Sequence, residues 1–474
     1  MCSIMAIHGK FKKDNITDML EVLKHRGPDG FGIYTDDKIY YNTSEFIVED
    51  DFVLAHNLLS IVGECELQPI RCGNLILVAN AELYNYKDLI DKFNINDLTT
   101  RSDCEVILKI IEAHYEDNLY DAVINSVRYF DGDYAFTIYD GKDYITLRDM
   151  CGVKPIYYGR NDDFFAFASE QKALKKVGIR EIQNLNPRCM IMNDKIIKFR
   201  DDYIHKPEYN DYQKAVDDIT KALIESVEKR VEDLERVALL FSGGVDSTII
   251  LKILLNLGKK VDLYTIGVEN SQDLKSAQQI ADEFNLPLHT WIIDEKIIED
   301  EFISTINTIE SQNLMKIGVG MTIKLTSHLA HLDHHRVILS GQGADELFAG
   351  YNRYKRKYET PELLYDELTY DLNNIYDTNL ERDDKATMSN SVELRVPYLD
   401  KQLINTAIKM PYDYLLKSSD DNIRKHILRS VALNMGVPEE IALRPKKAAQ
   451  YATGIDKVIR KKLLKKDEIQ KLLK

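Results

Sequence analysis

Long hydrophobic runs are missing from the sequence: none of its 474 residues lies in a stretch near the roughly 18 consecutive apolar residues that a membrane span needs. The apolar start is also too short for the core of a signal peptide. None of the six cysteines has the C-x-x-C spacing of a zinc or redox site, so we expect reduced thiols. These absences predict a cytoplasmic protein without membrane contact.

An excess of positive charge is also missing. The formal net charge is −15, from 62 Lys and Arg against 77 Asp and Glu, which argues against an exposed nucleic-acid-binding surface. What is present is an ordinary globular composition, with 44% hydrophobic and 29% charged residues. A chain of this length is expected to divide into two or three domains.

The pattern of the chain changes near its middle. Up to about residue 200 short apolar runs alternate with turns, and only one or two helices are clear, notably Cys104–His114. From about residue 213 apolar strands alternate with longer helices, as in a parallel α/β sheet. The polar stretch 206–212 is the expected junction, which predicts domains at 1–205 and 206–474. The strands predicted for the first half are Phe31–Tyr34, Phe52–Ala55, Leu75–Ala79, Tyr134–Tyr139, Tyr144–Leu147 and Phe164–Ala168.

The stretch 236–248 combines a strand-length apolar run, the turn S-G-G-V-D-S and the start of a helical repeat. Glycines let backbone N–H groups approach a phosphate, and a helix N-terminus adds partial positive charge. Asp246 would hold a magnesium ion that bridges phosphate oxygens. The lysine of a Walker motif is absent, so the loop resembles the pyrophosphate-binding loop of ATP pyrophosphatases; the alternative is an ordinary strand-to-helix turn. The predicted ATP-binding residues are Ser242, Gly243, Gly244, Asp246 and Ser247.

A second glycine-bracketed loop, S-G-Q-G-A-D-E from Ser340 to Glu346, follows the predicted strand Arg336–Leu339 and opens another helix. A further strand is predicted at Val261–Val268. Ligands of open α/β sheets gather at the carboxyl ends of the strands, so the end of this strand is expected at a ligand site. Two such loops, each with an aspartate, indicate nucleotide binding more strongly than either alone.

At the start of the chain, Cys2 becomes the first residue if Met1 is removed. Its thiol and the free α-amine then belong to one residue, and an amine with a pKa near about 8 can act as the base for its own thiol. A cysteine near a terminus is more often a small buried hydrophobe. The Met-Cys start therefore decides nothing by itself.

Five sequence blocks favour the nucleophile. They are M-C-S-I at 1–4, K-H-R-G-P-D-G at 24–30, L-A-H-N-L-L-S-I-V at 54–62, A-N-A-E-L-Y-N at 79–85 and S-D-C-E at 102–105. Their order resembles the glutaminase domain of asparagine synthetases and other class II glutamine amidotransferases. The resemblance implies an α+β N-terminal-nucleophile (αββα) domain, with two antiparallel sheets between helical layers, that hydrolyses glutamine to glutamate and ammonia.

The resemblance also implies roles for single residues. Cys2 would attack the glutamine amide and form a thioester. Asn80 would contribute to the oxyanion hole, which in such reactions is worth about two or more orders of magnitude in rate. Asp103 would hold the substrate α-ammonium group, and Arg26 and Glu82 are expected in the same glutamine-binding pocket.

Two positions in this half depart from the family pattern. Ala81 stands where the family has glycine, which is awkward if the loop needs a positive φ. Leu58 stands where an arginine clamps the glutamine carboxylate, which an aliphatic side chain cannot do. Another cation such as Arg71, or free ammonia as the nitrogen source, would then have to compensate. The nucleophile and the oxyanion hole remain, so an active glutaminase is predicted.

The second half resembles the synthetase domain of the same family, an α/β ATP-pyrophosphatase with a parallel sheet. In that family the Ser-Gly pair of the second loop, here Ser340 and Gly341, holds ATP. Its aspartate, here Asp345, joins the aspartate of the first loop, here Asp246, on magnesium. The resemblance therefore implies ATP and Mg²⁺ as the ligands of this half.

Further family signatures lie downstream, with E-L-R-V-P-Y-L-D at 393–400 and R-P-K at 444–446. Glu393 would be the base or orienting carboxylate for attack by the amine, and Lys446 would neutralise charge on the phosphates. We interpret Arg395 as a salt bridge at a helix end. Leu240 and Ile266, at the ends of two strands, would sandwich the adenine.

The acceptor site departs most from the family. Gln342 stands where asparagine synthetases carry a glutamate that is implicated in forming the aspartyl-adenylate. The pocket T-T-I-R-A-S is missing around Gly318, and with it an arginine for aspartate, which Lys316 would replace as a cation. The favoured hypothesis is a divergent asparagine synthetase that converts ATP, aspartate and glutamine to asparagine, AMP and pyrophosphate.

Two alternatives stay open. β-Lactam synthetases and peptide cyclases share this architecture and form amides of other carboxylates, but those relatives commonly lose Cys2. A sensor that binds nucleotide or amino acid without turnover predicts loss of Asp246, Asp345 or Cys2, and all three are present. Ammonia is expected to pass through a tunnel between the domains. The family includes homodimers, and no nucleic acid or membrane partner is expected.

Overall fold

The computed structural model describes residues 2–48, 50–61, 66–445, 453–466 and 469. The chain divides into two compact units. Unit 1 consists of Met1–Asp202 and Tyr376–Ser391, and unit 2 consists of Tyr203–Ile375 and Val392–Lys474. Each unit is built around its own sheet or sheets.

Unit 1 contains two antiparallel sheets. Its strands are β1 Ser3–Gly9, β2 Gly30–Thr35, β3 Lys38–Tyr40, β4 Phe52–Leu58, β5 Ile70–Cys72, β6 Leu75–Leu83, β7 Gly132–Tyr139, β8 Tyr144–Arg148, β9 Tyr157–Arg160, β10 Phe164–Ala168, β11 Ile182–Asn184, β12 Cys189–Met192 and β13 Lys195–Lys198. One sheet has the order β11-β9-β10-β1-β4-β2-β3, and the other has the order β13-β12-β8-β7-β6-β5. All six runs that the sequence predicted as strands of this half lie in these sheets.

The two sheets of unit 1 pack face to face, and helices cover their outer faces. Apolar residues of both sheets, such as Ile4, Leu54 and Val78, form the layer between them. The helices are α1 Lys13–Val22, α2 Tyr86–Phe93, α3 Asp103–Ala113, α4 Leu119–Val127 and α5 Gln171–Lys176. Helices α1 and α5 pack on the first sheet, and α2 to α4 pack on the second. The predicted αββα fold is confirmed, but the expectation of only one or two helices was wrong because short helices carry too few apolar repeats.

Unit 1 also includes a segment from far along the chain. Residues Tyr376–Leu380 form a π-helical turn, and Glu381–Met388 form helix α13. Every residue of α13 is buried, although the helix reads E-R-D-D-K-A-T-M. Buried charges need partners. The Tyr157 hydroxyl donates to Glu381, and Arg26 pairs with Asp384.

Unit 2 contains one parallel sheet. Its strands are β14 Arg236–Leu240, β15 Lys260–Gly267, β16 Leu288–Ile292, β17 Val337–Leu339 and β18 Glu393–Arg395, in the order β16-β15-β14-β17-β18. Every neighbouring pair in this sheet is parallel, as predicted. The helices are α6 Tyr212–Val231, α7 Val245–Asn256, α8 Gln272–Glu283, α9 Glu295–Ile309, α10 Leu314–Leu332, α11 Ala344–Leu347, α12 Pro361–Asn373, α14 Lys401–Ala407, α15 Tyr412–Leu415, α16 His426–Asn434, α17 Glu439–Ala442 and α18 Ile455–Lys461.

Two smaller expectations concern membranes and thiols. Within the described ranges, no helix has the length and apolar character that crossing a membrane requires. The described cysteines form no disulfide with one another.

Candidate active sites

Cys2 lies immediately before β1 and is held on both sides of its backbone. Its nitrogen donates to Asn80 Oδ1 at 3.0 Å, and its carbonyl oxygen accepts from Arg26 Nε at 3.2 Å. Asn80 lies in β6, where alternation places its side chain on the same face as Val78, towards the other sheet. The structure therefore brings together the predicted nucleophile and the predicted oxyanion donor.

The side-chain nitrogen of Asn80 has no hydrogen-bond acceptor within the described part of the chain, although the residue is fully buried. Buried donors are normally satisfied. A donor without an acceptor beside a nucleophile is what stabilisation of a developing oxyanion requires.

The neighbouring Ala81 is an extended residue of β6, paired in register with Tyr134 of β7. Any residue adopts this backbone conformation, so glycine is not needed here on grounds of φ. The departure at position 81 therefore causes no backbone strain.

The predicted glutamine-binding acids Asp103 and Glu82 lie near Cys104. Asp103 is the first residue of α3, and its Oδ2 accepts the Leu83 N–H at 2.6 Å. Burial, together with charges at Asp103, Cys2 and Glu82, raises the pKa of the Cys104 thiol well above its usual value. These groups are therefore close to one another, and the roles of Asp103 and Glu82 in holding glutamine stay predictions.

Arg26 is fully buried in unit 1. Its Nη1 lies 2.9 Å from Glu170 Oε1 and 2.6 Å from Asp384 Oδ2, and its Nη2 donates to Asp384 Oδ1 at 3.2 Å. Burial alone would lower the pKa of Arg26, but the carboxylates of Asp384 and Glu170 raise it above its usual value. The guanidinium is thus a fixed cation that holds the Cys2 carbonyl, and its contact with glutamine stays a prediction.

Arg71 is the cation expected to compensate for Leu58 at the glutamine carboxylate, and that role stays a prediction. Leu58 ends β4 and is buried. The Arg71 guanidinium is engaged by Asp37, at 2.9 Å from its carboxylate, and by the carbonyl oxygens of Asp37 and Gly73. In this structure Arg71 is tied to a hairpin turn.

The first glycine loop of unit 2 connects β14 to α7, as predicted. Gly243 has a φ of +68°, and a Cβ there would lie 2.7 Å from the Ser276 carbonyl carbon, so both its conformation and the space require glycine. The Gly244 carbonyl accepts from Thr248 N at 3.0 Å and from Thr248 Oγ1 at 2.8 Å. The Ser247 hydroxyl donates to the same carbonyl at 3.2 Å. The end of the loop is therefore held by hydrogen bonds from the first turn of α7.

The second glycine loop lies against the first. A Cβ on Gly341 would lie 3.0 Å from Asp246 Cβ and 3.4 Å from Ser247 N. The Tyr398 hydroxyl donates to the Asp246 carbonyl at 3.0 Å and holds the loop from the other side. The helix that follows the second loop, α11, is only four residues long. The expected meeting of the two loops at the strand ends is found.

A lysine that sequence reasoning missed connects the aspartates of the two loops. Lys425 Nζ lies 2.8 Å from each carboxylate oxygen of Asp246 and 2.6 Å from Asp345 Oδ1. The lysine side chain is fully buried. Two carboxylates therefore converge on a single cationic group.

This donor set fits the predicted magnesium ion. Asp246 and Asp345 would supply oxygen ligands, which Mg²⁺ prefers, and a metal ion there would share the two carboxylates with the ammonium of Lys425. Among the described residues no group of three or more His, Cys, Asp or Glu side chains could hold a metal. Two carboxylates suffice for magnesium when substrate phosphates and water complete its shell.

The backbone that carries Lys425 is unusual. Arg424 and Lys425 have φ values of 57° and 54°, a left-handed pair that costs energy for residues with a Cβ. Arg424 donates to the Gly350 carbonyl at 2.8 Å, and burial lowers the pKa of Arg429 to about 10. Three cations thus lie in this region of unit 2. Their spacing matched no motif, so only the fold could reveal them.

Glu393 and Arg395 are both in β18, and they pair with each other. Arg395 Nε lies 2.6 Å from Glu393 Oε1, and Arg395 Nη1 donates to the Arg230 carbonyl at 2.5 Å. Arg395 is therefore a salt-bridge residue as interpreted, but in a strand and not at a helix end. The role of Glu393 in amine attack stays a prediction, and Lys446 lies outside the described residues.

The two residues predicted to contact adenine, Leu240 and Ile266, lie on adjacent strands. Leu240 ends β14 and Ile266 is in β15, and these strands pair in parallel with Leu240 opposite Tyr264. Ile266 is buried, whereas Leu240 is partly exposed. The placement is compatible with a nucleotide at the strand ends, and the sandwich itself stays a prediction.

Comparison with known proteins gives the family. Residues 1–192 match a glutamine amidotransferase domain, and residues 218–364 and 356–471 match asparagine synthase. The chain belongs to the family of glutamine-hydrolysing asparagine synthetases. Across 97% of this chain and 95% of the relative, it is 40% identical to a Methanocaldococcus jannaschii protein provisionally named as asparagine synthetase 1. It is 28% identical to asparagine synthetase 2 of Arabidopsis thaliana over 96% of this chain and 79% of that protein, and 27% identical to the Gallus gallus asparagine synthetase over 97% and 85%.

The residues predicted at the acceptor site lie in the second glycine loop and in α10. Gln342 lies in the second loop, where its N–H donates to Ser340 Oγ at 3.2 Å. Gly318 and Lys316 are in the first two turns of α10, and Asn313 caps that helix by accepting Lys316 N–H at 3.3 Å. Lys316 is partly buried. Its use as a cation for a carboxylate substrate stays a prediction.

Proposed function

We propose that the protein makes asparagine from aspartate, with glutamine as the nitrogen donor and ATP as the activating substrate. The observation that carries this proposal is the meeting of the two glycine loops at Asp246 and Asp345 in unit 2. The asparagine synthetase names of the relatives support aspartate as the acceptor. A cytoplasmic location and a homodimer accord with the proposal and stay predictions.

In unit 1 we assign glutamine hydrolysis to Cys2. Its sulfur attacks the side-chain carbonyl carbon of glutamine, ammonia leaves, and water then hydrolyses the thioester to glutamate. The α-amine of Cys2 takes the thiol proton once Met1 has been removed. The Asn80 side-chain nitrogen stabilises the oxyanion, which its missing acceptor supports. The proposed glutamine-binding residues are Arg26, Asn80, Glu82 and Asp103.

In unit 2 a carboxylate oxygen of aspartate attacks the α-phosphorus of ATP, and pyrophosphate leaves. Ammonia then attacks the aspartyl-adenylate and AMP departs, with Gln342 and Glu393 beside the acyl group and Lys446 neutralising phosphate charge. Asp246 and Asp345 would hold a magnesium ion, which would supply positive charge to the phosphates. The proposed ATP-binding residues are Leu240, Ser242, Gly243, Gly244, Asp246, Ser247, Ile266, Ser340 and Gly341.

The test is release of AMP and pyrophosphate by the purified protein with ATP and Mg²⁺. Aspartate is compared with glutamate and other carboxylates, each with glutamine or with ammonium. We expect aspartate to stimulate pyrophosphate release and asparagine to accumulate in equal amount. If aspartate gives no stimulation, the proposed acceptor is wrong.

A second candidate is an amidotransferase of the same architecture that acts on another carboxylate. The observation that favours it is the pair of changes at Gln342 and Gly318, both of which concern the acceptor and spare the ATP loops. In the same assay this candidate predicts pyrophosphate release with a different acid and none with aspartate.

A further inference from the structure

We propose that Asp384 is a positioning residue for the Cys2 nucleophile and acts through Arg26. The inference rests on the proposed glutaminase reaction and adds a residue to it that comes from the second half of the sequence. Asp384 is in α13, which belongs to unit 1 although both of its sequence neighbours, Tyr203–Ile375 and Val392–Lys474, belong to unit 2.

Arg26 connects Asp384 to the nucleophile. Its Nη1 donates to Asp384 Oδ2 at 2.6 Å, and its Nη2 donates to Asp384 Oδ1 at 3.2 Å. Its Nε donates to the Cys2 carbonyl at 3.2 Å. A bidentate arginine–carboxylate pair fixes the plane of the guanidinium. The direction of the Nε–H bond, and with it the position of the Cys2 backbone, follows from that plane.

The second carboxylate at Arg26 cannot fix it in the same way. Glu170 contacts Arg26 through one oxygen at 2.9 Å and is shared with His25 at 3.1 Å and Lys172 at 2.7 Å. Asp384 contacts Arg26 through both of its oxygens. Asp384 therefore sets the orientation of Arg26, and Glu170 mainly balances the local charge.

Segment 376–391 is hydrogen-bonded near both of its ends to the N-terminal part of unit 1, Met1–Asp202. Near its start Asn184 donates to Asp377 at 3.1 Å, and at its end the Ser391 hydroxyl donates to the His25 carbonyl at 2.6 Å. His25 is the residue before Arg26. Glu393 of β18 follows Ser391 by two positions in the chain. The end of segment 376–391 is thus hydrogen-bonded next to Arg26 within unit 1.

The experiment measures glutamate formation from glutamine by the full chain, first without ATP or aspartate and then with them. The variants are Asp384→Asn and a matched control, Asp383→Asn. Asp383 is the neighbouring buried carboxylate of α13, but it pairs with Arg382 at 2.7 Å. Thermal unfolding of both variants measures any loss of folding.

For Asp384→Asn we expect kcat for glutamine to fall about tenfold or more, since small displacements of a reacting group have large effects. The KM for glutamine should rise by a smaller factor than kcat falls, because Asp384 acts through the Cys2 backbone, although Arg26 is also a proposed glutamine-binding residue. Ammonia-dependent pyrophosphate release should be unchanged. Asp383→Asn should keep the wild-type kcat at a similar unfolding temperature.

A double variant separates positioning from general destabilisation. If Asp384 acts only through Arg26, then Asp384→Asn lowers kcat no further once Arg26→Gln is present. The proposal is overturned if Asp384→Asn keeps the wild-type kcat, if Asp383→Asn loses as much, or if the two losses multiply in the double variant. Because glutamate formation without ATP is independent of the acceptor, a wrong acceptor leaves this test intact. A wild-type protein that forms no glutamate in either condition contradicts the proposed function before any variant is compared.

Discussion

In unit 1 the backbone of the proposed nucleophile is held by a buried asparagine and a buried arginine, whereas in unit 2 a lysine lies between the aspartates of the two glycine loops. Asn80 and the backbone of Cys2 meet because β1 and β6 face each other. Asp246 and Asp345 converge because Lys425 balances their charge. Both sites therefore use a buried cation, but Arg26 holds a backbone carbonyl in unit 1, whereas Lys425 in unit 2 holds two carboxylates that a bound magnesium ion would also need.

The largest predicted effect in unit 1 is the loss of the oxyanion donor. Asn80→Ala removes a buried side-chain nitrogen beside Cys2 that has no acceptor among the described residues. We expect kcat for glutamine hydrolysis to fall by about 10²- to 10³-fold, the usual cost of one such donor. Ammonia-dependent pyrophosphate release serves as the control and should stay near wild type. An Asn80→Ala enzyme that hydrolyses glutamine normally contradicts the assignment.

In unit 2 the corresponding variant is Lys425→Met, which leaves two neighbouring carboxylates without their cation. Removing one partner of a buried ion pair costs about 3 kcal/mol or more in the free energy of unfolding. We expect this loss in the absence of divalent ions and partial recovery in millimolar Mg²⁺, measured by chemical unfolding. The control is Lys417→Met, an exposed lysine whose Nζ donates to the Asp413 carbonyl. Equal stability of the wild type and Lys425→Met would contradict the claim that Lys425 stabilises Asp246 and Asp345.

A pH prediction concerns His56 of β4, which lies in unit 1 and is fully buried. Burial lowers its pKa to about 3, although a backbone contact with Ala79 partly opposes this. The folded protein therefore excludes a proton that the unfolded chain takes up near pH 6.5, so stability is lost as the pH falls below that value. We expect a loss of about 2 kcal/mol between pH 6.5 and pH 5. In His56→Leu the loss over this range should be smaller than in the wild type by that amount, as measured by urea unfolding at both pH values.

The smallest effect is expected at Ala81, where the chain departs from the family glycine. Because Ala81 is extended and paired with Tyr134, Ala81→Gly removes a methyl group without releasing strain. Glutaminase kcat should change by no more than about twofold. A tenfold gain would mean that the Ala81 methyl group obstructs the oxyanion site.

Sequence patterns predicted the parts of the molecule whose secondary structure is set by neighbouring residues in the chain. The strand, loop and helix around Asp246 follow from an apolar run and two glycines. In the structure the two glycine loops lie against each other. Short helices such as α2 were missed because eight residues contain too few repeats. Their existence depends on packing against the sheet rather than on a pattern of their own.

The contacts that complete each site could not be predicted from the sequence. Helix α13 has the composition of a solvated surface helix, yet it is buried because its charges find partners such as Arg26, more than 350 positions away in the chain. Lys425 lies 179 positions from Asp246 and matches no spacing rule. Such long-range charge pairs leave no periodic signal in a single sequence.

The most direct test of the account is the variant Cys2→Ala, assayed for pyrophosphate and asparagine with ATP, Mg²⁺ and aspartate. We predict that glutamine no longer supports asparagine formation, whereas ammonium supports it at close to the wild-type rate, because the two reactions use different units. Asparagine made from glutamine by Cys2→Ala would contradict the account.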